Sequence, residues 1–210
     1  MMIKLCGIRR PEDILYCNEF RPDCIGFVLA ESKRRVTPEE VLRLKEPLHK
    51  EIKTVGVFVN EEFPTLVKIV EQTGLDILQL HGDESADYVT VLAEVFPEKQ
   101  IWKAVRVTDE QSLLAAARLP VSCVLGDAFT QTAYGGTGHK ANWDIIQRVR
   151  DSLGKPLILA GGLNAETILP AIRATSPFGV DISSGIETDG VKDRKKIKTI
   201  MTLLRSEQSE

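Results

Sequence analysis

Leu157-Ile158-Leu159-Ala160-Gly161-Gly162 and Phe178-Gly179-Val180-Asp181-Ile182-Ser183-Ser184-Gly185 share one pattern, an apolar run that breaks straight into small residues. Each run reads as a buried parallel strand. A strand ending in glycine or serine exposes successive backbone N–H groups at its carboxyl end, where no side chain blocks an anion. Two such ends in succession at the close of an α/β chain make a phosphate cup, the expected mark of a barrel that holds a phosphorylated metabolite.

Working outward from this pair, short β-branched or Leu-rich runs alternate with amphipathic stretches along the whole chain. Strands are expected at Ile3 to Leu5, Cys24 to Val28, Thr54 to Val59, Ile77 to Leu80, Ile101 to Val105, Cys123 to Gly126, Leu157 to Ala160 and Val180 to Ile182. Their spacing of roughly twenty to thirty-five residues fits βαβ units with parallel strands. Thr37-Pro38-Glu39-Glu40 is a capping box with Pro at N1. Phe63 to Gln72 carries Leu66, Val67, Ile69 and Val70 on one side and stops before Gly74, a C′ glycine. Asp83, Asp109 and Asn164 stand where N-caps belong. Lys192 to Leu204 forms the last helix, burying Ile197, Ile200, Met201 and Leu204, with a frayed tail over 205–210.

No antiparallel hairpin is expected, and Cys6-Gly7-Ile8-Arg9-Arg10 follows the first strand where a dinucleotide fold would carry Gly-x-Gly-x-x-Gly. The expected architecture is therefore a single-domain (β/α)8 TIM barrel of parallel strands over residues 1–210.

A net charge of −3 gives no general attraction for nucleic acid or an anionic membrane, so any anion site must come from local geometry. The start has no apolar stretch of signal-peptide length, which makes the cytoplasm the default compartment. Cys6, Cys17, Cys24 and Cys123 lack Cys-x-x-Cys spacing and read as free thiols, with neither a metal site nor a disulfide framework. The mixed helix faces fit a monomer or a homodimer.

The active site of such a barrel is built at the carboxyl ends of its strands. Cys6 is open to a ligand because Gly7 follows it, but a thiol with an unperturbed pKa of about 8.5 needs a nearby cation to act as a base. Lys4 lies on the same face of that strand. Asp127 is delivered by an apolar strand to the barrel mouth, where desolvation favours a general acid over a helix cap. Arg34 or Arg35, in Ser32-Lys33-Arg34-Arg35-Val36, could clamp a carboxylate, and His81 could donate a hydrogen bond or support a neighbour. Cys17, Cys24 and Cys123 read as core. Gly135-Gly136-Thr137-Gly138, weak alone, becomes a third wall of the cup.

Together these residues resemble the phosphoribosylanthranilate isomerase family. The resemblance runs through Lys4-Leu5-Cys6-Gly7-Ile8, Gly26-Phe27-Val28, Ser32-Lys33-Arg34, Val55-Gly56-Val57-Phe58-Val59-Asn60, Gln79-Leu80-His81-Gly82, Gly135 to Gly138 with Trp143, Leu159 to Asn164 and Gly179 to Glu187. It implies an Amadori rearrangement of N-(5-phosphoribosyl)anthranilate to 1-(2-carboxyphenylamino)-1-deoxyribulose 5-phosphate, with no cofactor or metal. It further implies Asp127 as the acid that opens the furanose ring and Cys6 as the base that takes the C2′ proton. Arg34, favoured by its spacing from Ser32, would hold the anthranilate carboxylate. Gly136, Gly162, Ser184 and Gly185 would hold the phosphate, with His81 and Asp181 lining the substrate. Arg9, Lys33 and Ala141 depart from the usual pattern without removing a reacting group. A different phosphosugar isomerase or epimerase, and a non-catalytic phosphate sensor, are the competing readings; a sensor has no need of Cys6 and Asp127.

Overall fold

Eight strands hydrogen-bond side by side in a closed ring of parallel neighbours: β1 (Met2–Cys6), β2 (Cys24–Val28), β3 (Lys53–Phe58), β4 (Ile77–Leu80), β5 (Gln100–Arg106), β6 (Cys123–Asp127), β7 (Leu157–Ala160) and β8 (Gly179–Ile182). Pairing of β1 with β8 closes the ring and sets Lys4 directly opposite Asp181. The computed structural model describes residues 1–128 and 138–207, the side chains of 138–142 excepted. Gly136 and the side chain of Ala141 therefore lie outside the described residues.

The helices are α1 (Pro11–Phe20), α2 (Pro38–Lys45), α3 (Phe63–Thr73), α4 (Ala86–Val95), α5 (Glu110–Arg118), α6 (Gly138–Val149), α7 (Ile168–Thr175) and α8 (Arg194–Glu207). Thr37 and Glu40 form the capping box of α2 by exchanging side-chain bonds with each other's backbone N–H. Gly74 ends α3 at φ +59°, a left-handed turn that glycine adopts without steric cost. Asp109 accepts from Ser112 N–H at the start of α5. Asn164 accepts from Glu166 and Thr167 N–H one turn before α7 becomes regular. None of the described helices is long and apolar enough to cross a membrane.

Three expectations are corrected. The cap of α4 is Ser85, which accepts from Tyr88 N–H; Asp83 is held back in the preceding turn, its N–H bonded to Asn60 Oδ1. Helix α8 runs past the expected end at Leu204 to Glu207, whose carboxylate pairs with Arg173, and the rest of the tail, 208–210, lies outside the described residues. An antiparallel hairpin does exist outside the barrel, between β9 (Glu187–Thr188) and β10 (Val191–Lys192). Its turn is Asp189-Gly190, with φ +53° and +75°, and Asp-Gly is a strong short-range hairpin signal.

Strand alternation divides the interior. Outward residues such as Ile3, Leu5, Leu78, Leu80, Val124, Val180 and Ile182 pack under the helices. Inward residues Cys24, Val55, Ile77, Trp102, Cys123, Leu125 and Ile158 fill the barrel. A one-residue slip in any strand would exchange the two sets, which fixes what reaches the mouth.

Candidate active site

The same alternation builds the site. Met2, Lys4 and Cys6 point inward in succession from β1, as do Ile77, Gln79 and His81 from β4 and its end, and Cys123, Leu125 and Asp127 from β6. Apolar groups lie low in the barrel and polar ones at the carboxyl ends, where Cys6, Arg34, His81, Asp127, Gly162, Asp181 and Ser184 line one cavity of about 440 Å³. Gly185 lines the adjoining hollow with Gly162 and Ser184. A cavity of about 500 Å³ also opens at the opposite end, between Asp23, Trp102 and Phe178. That end of a TIM barrel serves stability rather than chemistry.

Beneath the mouth sits a buried polar layer in which Gln79, which the strand ends did not single out, joins Lys4 and Asp181. The Lys4 ammonium, with no exposed surface, donates to Asp181 Oδ2 at 2.7 Å and to Gln79 Oε1 at 2.7 Å. Burial pulls the ammonium's pKa down, but the Asp181 carboxylate, Cys6 and Cys24 together outweigh this and the net shift is upward, so Lys4 stays charged. Asp181 Oδ1 is buried with no hydrogen-bond partner among the described residues and is free for a ligand hydroxyl. Gly26 is what admits this layer beside Cys6. A Cβ at Gly26 would lie 2.7 Å from Cys6 Sγ and 3.1 Å from Lys4 Cε.

Cys6 has the neighbouring cation that the sequence reading required, but the cation does not prevail. Burial pushes the thiol pKa up, attraction to Lys4 opposes this, the Asp181 carboxylate adds to it, and the net shift is upward from 9.0. The resting group is a thiol. Thiolate absorbance in the wild type minus Cys6→Ser should therefore stay flat through neutral pH and rise only above about 9. A step near pH 7 would show a resting thiolate instead. Cys17 and Cys123 are each pushed up to about 12 by burial and stay silent in that range.

Arg34 reaches the mouth over Gly7, at φ +79°, where an added Cβ would lie 2.5 Å from Arg34 Cδ. Its guanidinium is engaged by Glu187, Nε to Oε1 and Nη2 to Oε2, both at 2.7 Å. Glu187 also accepts from Lys192 at 2.7 Å, across the hairpin in register. Despite burial, these two cations bring its carboxyl down to about 2. This fork fixes the guanidinium plane while Nη1 has no hydrogen-bond partner among the described residues, so an end-on face remains for an incoming carboxylate. Arg35 turns outward to pair with Glu31.

Gly161 and Gly162 follow β7 with φ of +93° and +66°, and a 3₁₀ turn over Ser184–Ile186 follows β8. The two ends meet closely. A Cβ on Gly185 would stand 1.9 Å from Leu163 O and 2.8 Å from Leu163 C, both backbone atoms that cannot swing aside. Gly185→Ala is expected to cost about 1–3 kcal/mol through overpacking, read as a lower urea midpoint at unchanged m-value.

His81, a third exposed at the rim, turns Nε2 toward Asp127 Oδ2 at 3.9 Å. Burial lowers its pKa, only partly countered by the Asp127 and Asp181 carboxylates, which leaves a neutral imidazole.

Residues 3–202 match the family model for N-(5'-phosphoribosyl)anthranilate (PRA) isomerase. The chain is 45% identical to the N-(5'-phosphoribosyl)anthranilate isomerase of Thermoanaerobacter sp. (strain X514) over 203 residues, covering 97% of each chain. It superposes with a TM-score of 0.84 on phosphoribosyl anthranilate isomerase from Thermotoga maritima, at 34% identity over 98% of this chain and 99% of that one. A phosphoribosyl anthranilate isomerase in complex with reduced 1-(o-carboxyphenylamino)-1-deoxyribulose 5-phosphate superposes equally well, at 0.84 with 33% identity over the same shares.

Proposed function

Since the chain belongs to the N-(5'-phosphoribosyl)anthranilate isomerase family and catalyses the Amadori rearrangement of that aminoaldose phosphate in tryptophan biosynthesis, we propose that Cys6 and Asp127 divide its two proton transfers. The observation that carries this reading is their arrival, from β1 and β6, in one cavity with an arginine on its rim and two glycine-ended strands in its wall. Membership sets aside the phosphate sensor and the other phosphosugar isomerases.

In this reading the sugar phosphate binds the backbone around Gly162, Ser184 and Gly185, and the anthranilate carboxylate binds the free face of Arg34. Gly136, outside the described residues, joins this phosphate site by the resemblance alone. The two anchors lie at opposite ends of the substrate and leave the ribose between them. Asp127 protonates the furanose oxygen, so that the C1′–O bond breaks and the nitrogen lone pair forms a cationic Schiff base. Cys6, as thiolate, takes the C2′ proton, and that electron pair neutralises the iminium to give an enolamine. Tautomerisation to the ketone completes the reaction. A positive Schiff base near Cys6 lowers the thiol's pKa just when a base is needed, which reconciles a resting thiol with a basic role. Asp181 Oδ1 accepts from a sugar hydroxyl. These steps use only this chain's side chains, and we place the enzyme in the cytoplasm as a monomer or a homodimer.

The test follows the loss of N-(5-phosphoribosyl)anthranilate fluorescence with purified enzyme. For Arg34→Ala, losing a charge-assisted contact should raise KM by about 10- to 100-fold with a smaller change in kcat. An unchanged KM would remove Arg34 from the carboxylate site.

A further inference from the structure

We propose that Gln79 is a positioning residue that sets the tautomer of His81, so that a ring N–H, not a lone pair, faces Asp127. The inference rests on the acid role proposed for Asp127 and adds residues with no part in that scheme.

One chain of contacts links Lys4 to Asp127 through Gln79 and His81. Lys4 Nζ can only donate, so the Gln79 atom 2.7 Å away must be the amide oxygen. That leaves the Gln79 NH2 group facing His81 Nδ1 at 3.2 Å. An amide nitrogen also only donates, so Nδ1 must present its lone pair and the neutral ring must carry its proton on Nε2. Nε2 is the atom turned toward Asp127. Gln79 is 1% exposed and Lys4 fully buried, so an amide flip would set donor against donor where no water can compensate. Asp181 holds the far side of the ammonium at 2.7 Å, which fixes Lys4 in turn. The turn after His81 is pinned as well, with Lys103 Nζ donating to Gly82 O at 2.6 Å and to Glu84 at 3.0 Å.

The consequence concerns the moment after Asp127 gives up its proton. A carboxylate then forms opposite Nε2, and an N–H there stabilises it, whereas a lone pair would repel it. The 3.9 Å separation must shorten by a small closure to become a hydrogen bond, the usual behaviour of catalytic contacts when substrate binds. The groups facing His81 that could override the choice are Asp127, Asp181, Lys4 and Lys103. Of these, only Lys4 reaches Nδ1, and it does so through Gln79.

Gln79→Glu tests this with little change of shape. A carboxylate accepts from Lys4 and also from a protonated Nδ1, so the proton relocates to Nδ1. If Nε2 becomes bare it repels the carboxylate that proton donation creates; if the ring becomes an imidazolium it holds Asp127 ionised before donation. Both outcomes should lower kcat by about 100-fold with KM nearly unchanged, the scale of one lost transition-state donor. The tautomer is read directly, without substrate, from 15N spectra of histidine-labelled protein. A wild-type His81 with its proton on Nε2, and an Nδ1 that gains a proton in Gln79→Glu whether or not Nε2 keeps its own, is the expected result. A wild-type proton on Nδ1, or no change in the variant, would overturn the proposal. His81→Gln provides an N–H with no tautomer to choose, so adding Gln79→Glu to it should cost under about threefold, and additive losses would also count against the idea. The spectra stand apart from turnover, so a silent Asp127→Asn would defeat the acid assignment while leaving the tautomer result to be judged by itself.

Discussion

Asp127→Asn is expected to slow turnover by about 10²–10⁴-fold with little change in KM, and Cys6→Ala by a similar factor, the usual worth of one positioned acid or base. Magnitude alone would not separate the two roles. Deuterium at C2′ of the substrate separates them. In Cys6→Ala ring opening still proceeds and removal of the C2′ proton limits the rate, so the heavy isotope should slow turnover strongly. In Asp127→Asn ring opening limits, and the same isotope should have almost no effect. The double variant should then be little worse than the slower single one, because two successive barriers do not add when one already dominates. An equal isotope effect in both single variants would mean that Cys6 and Asp127 serve the same step.

What the chain discloses before folding depends on how local the cause is. The strands are legible because each ends where apolar alternation meets glycine, serine or a reactive side chain, and the observed ends differ from the expected ones by no more than one residue, as at Met2–Cys6 and Lys53–Phe58. Caps set by neighbours were equally readable at Thr37 and Asp109, but at Asp83 a long-range bond to Asn60 displaced the helix start to Ser85. The hairpin at 187–192 had its signal in Asp189-Gly190, which the regular βα rhythm obscured. Lys4 and Gln79 follow the same period of two that puts Cys6 and His81 at the mouth. That period places both on the inner face but says nothing of their depth, and only a partner 177 residues away along the chain makes the buried lysine possible. The Arg34–Glu187 fork spans 153 residues and has no local trace. The protonation of Cys6 is the extreme case, since it depends on depth of burial weighed against two cations and a carboxylate from three strands.

Lys4→Met should be the most destabilising of the substitutions considered. The side-chain volume is nearly kept, so the loss is electrostatic. Asp181, 8% exposed, would be left without the ammonium at Oδ2, and Oδ1 had no partner among the described residues to begin with. Breaking one side of a buried pair costs about 3–5 kcal/mol, a large part of the roughly 5–15 kcal/mol that holds a domain folded. The urea midpoint should fall accordingly. Removing the orphan as well should restore most of it, because a buried pair replaced on both sides by neutral groups is close to balanced. Lys4→Met with Asp181→Leu should therefore be more stable than Lys4→Met alone, yet no more active. The ammonium that attracts the Cys6 thiolate and orients Gln79 is gone in both. If the double variant is no more stable than the single one, the cost of losing Lys4 is packing rather than charge, and electrostatics is not what holds the polar layer.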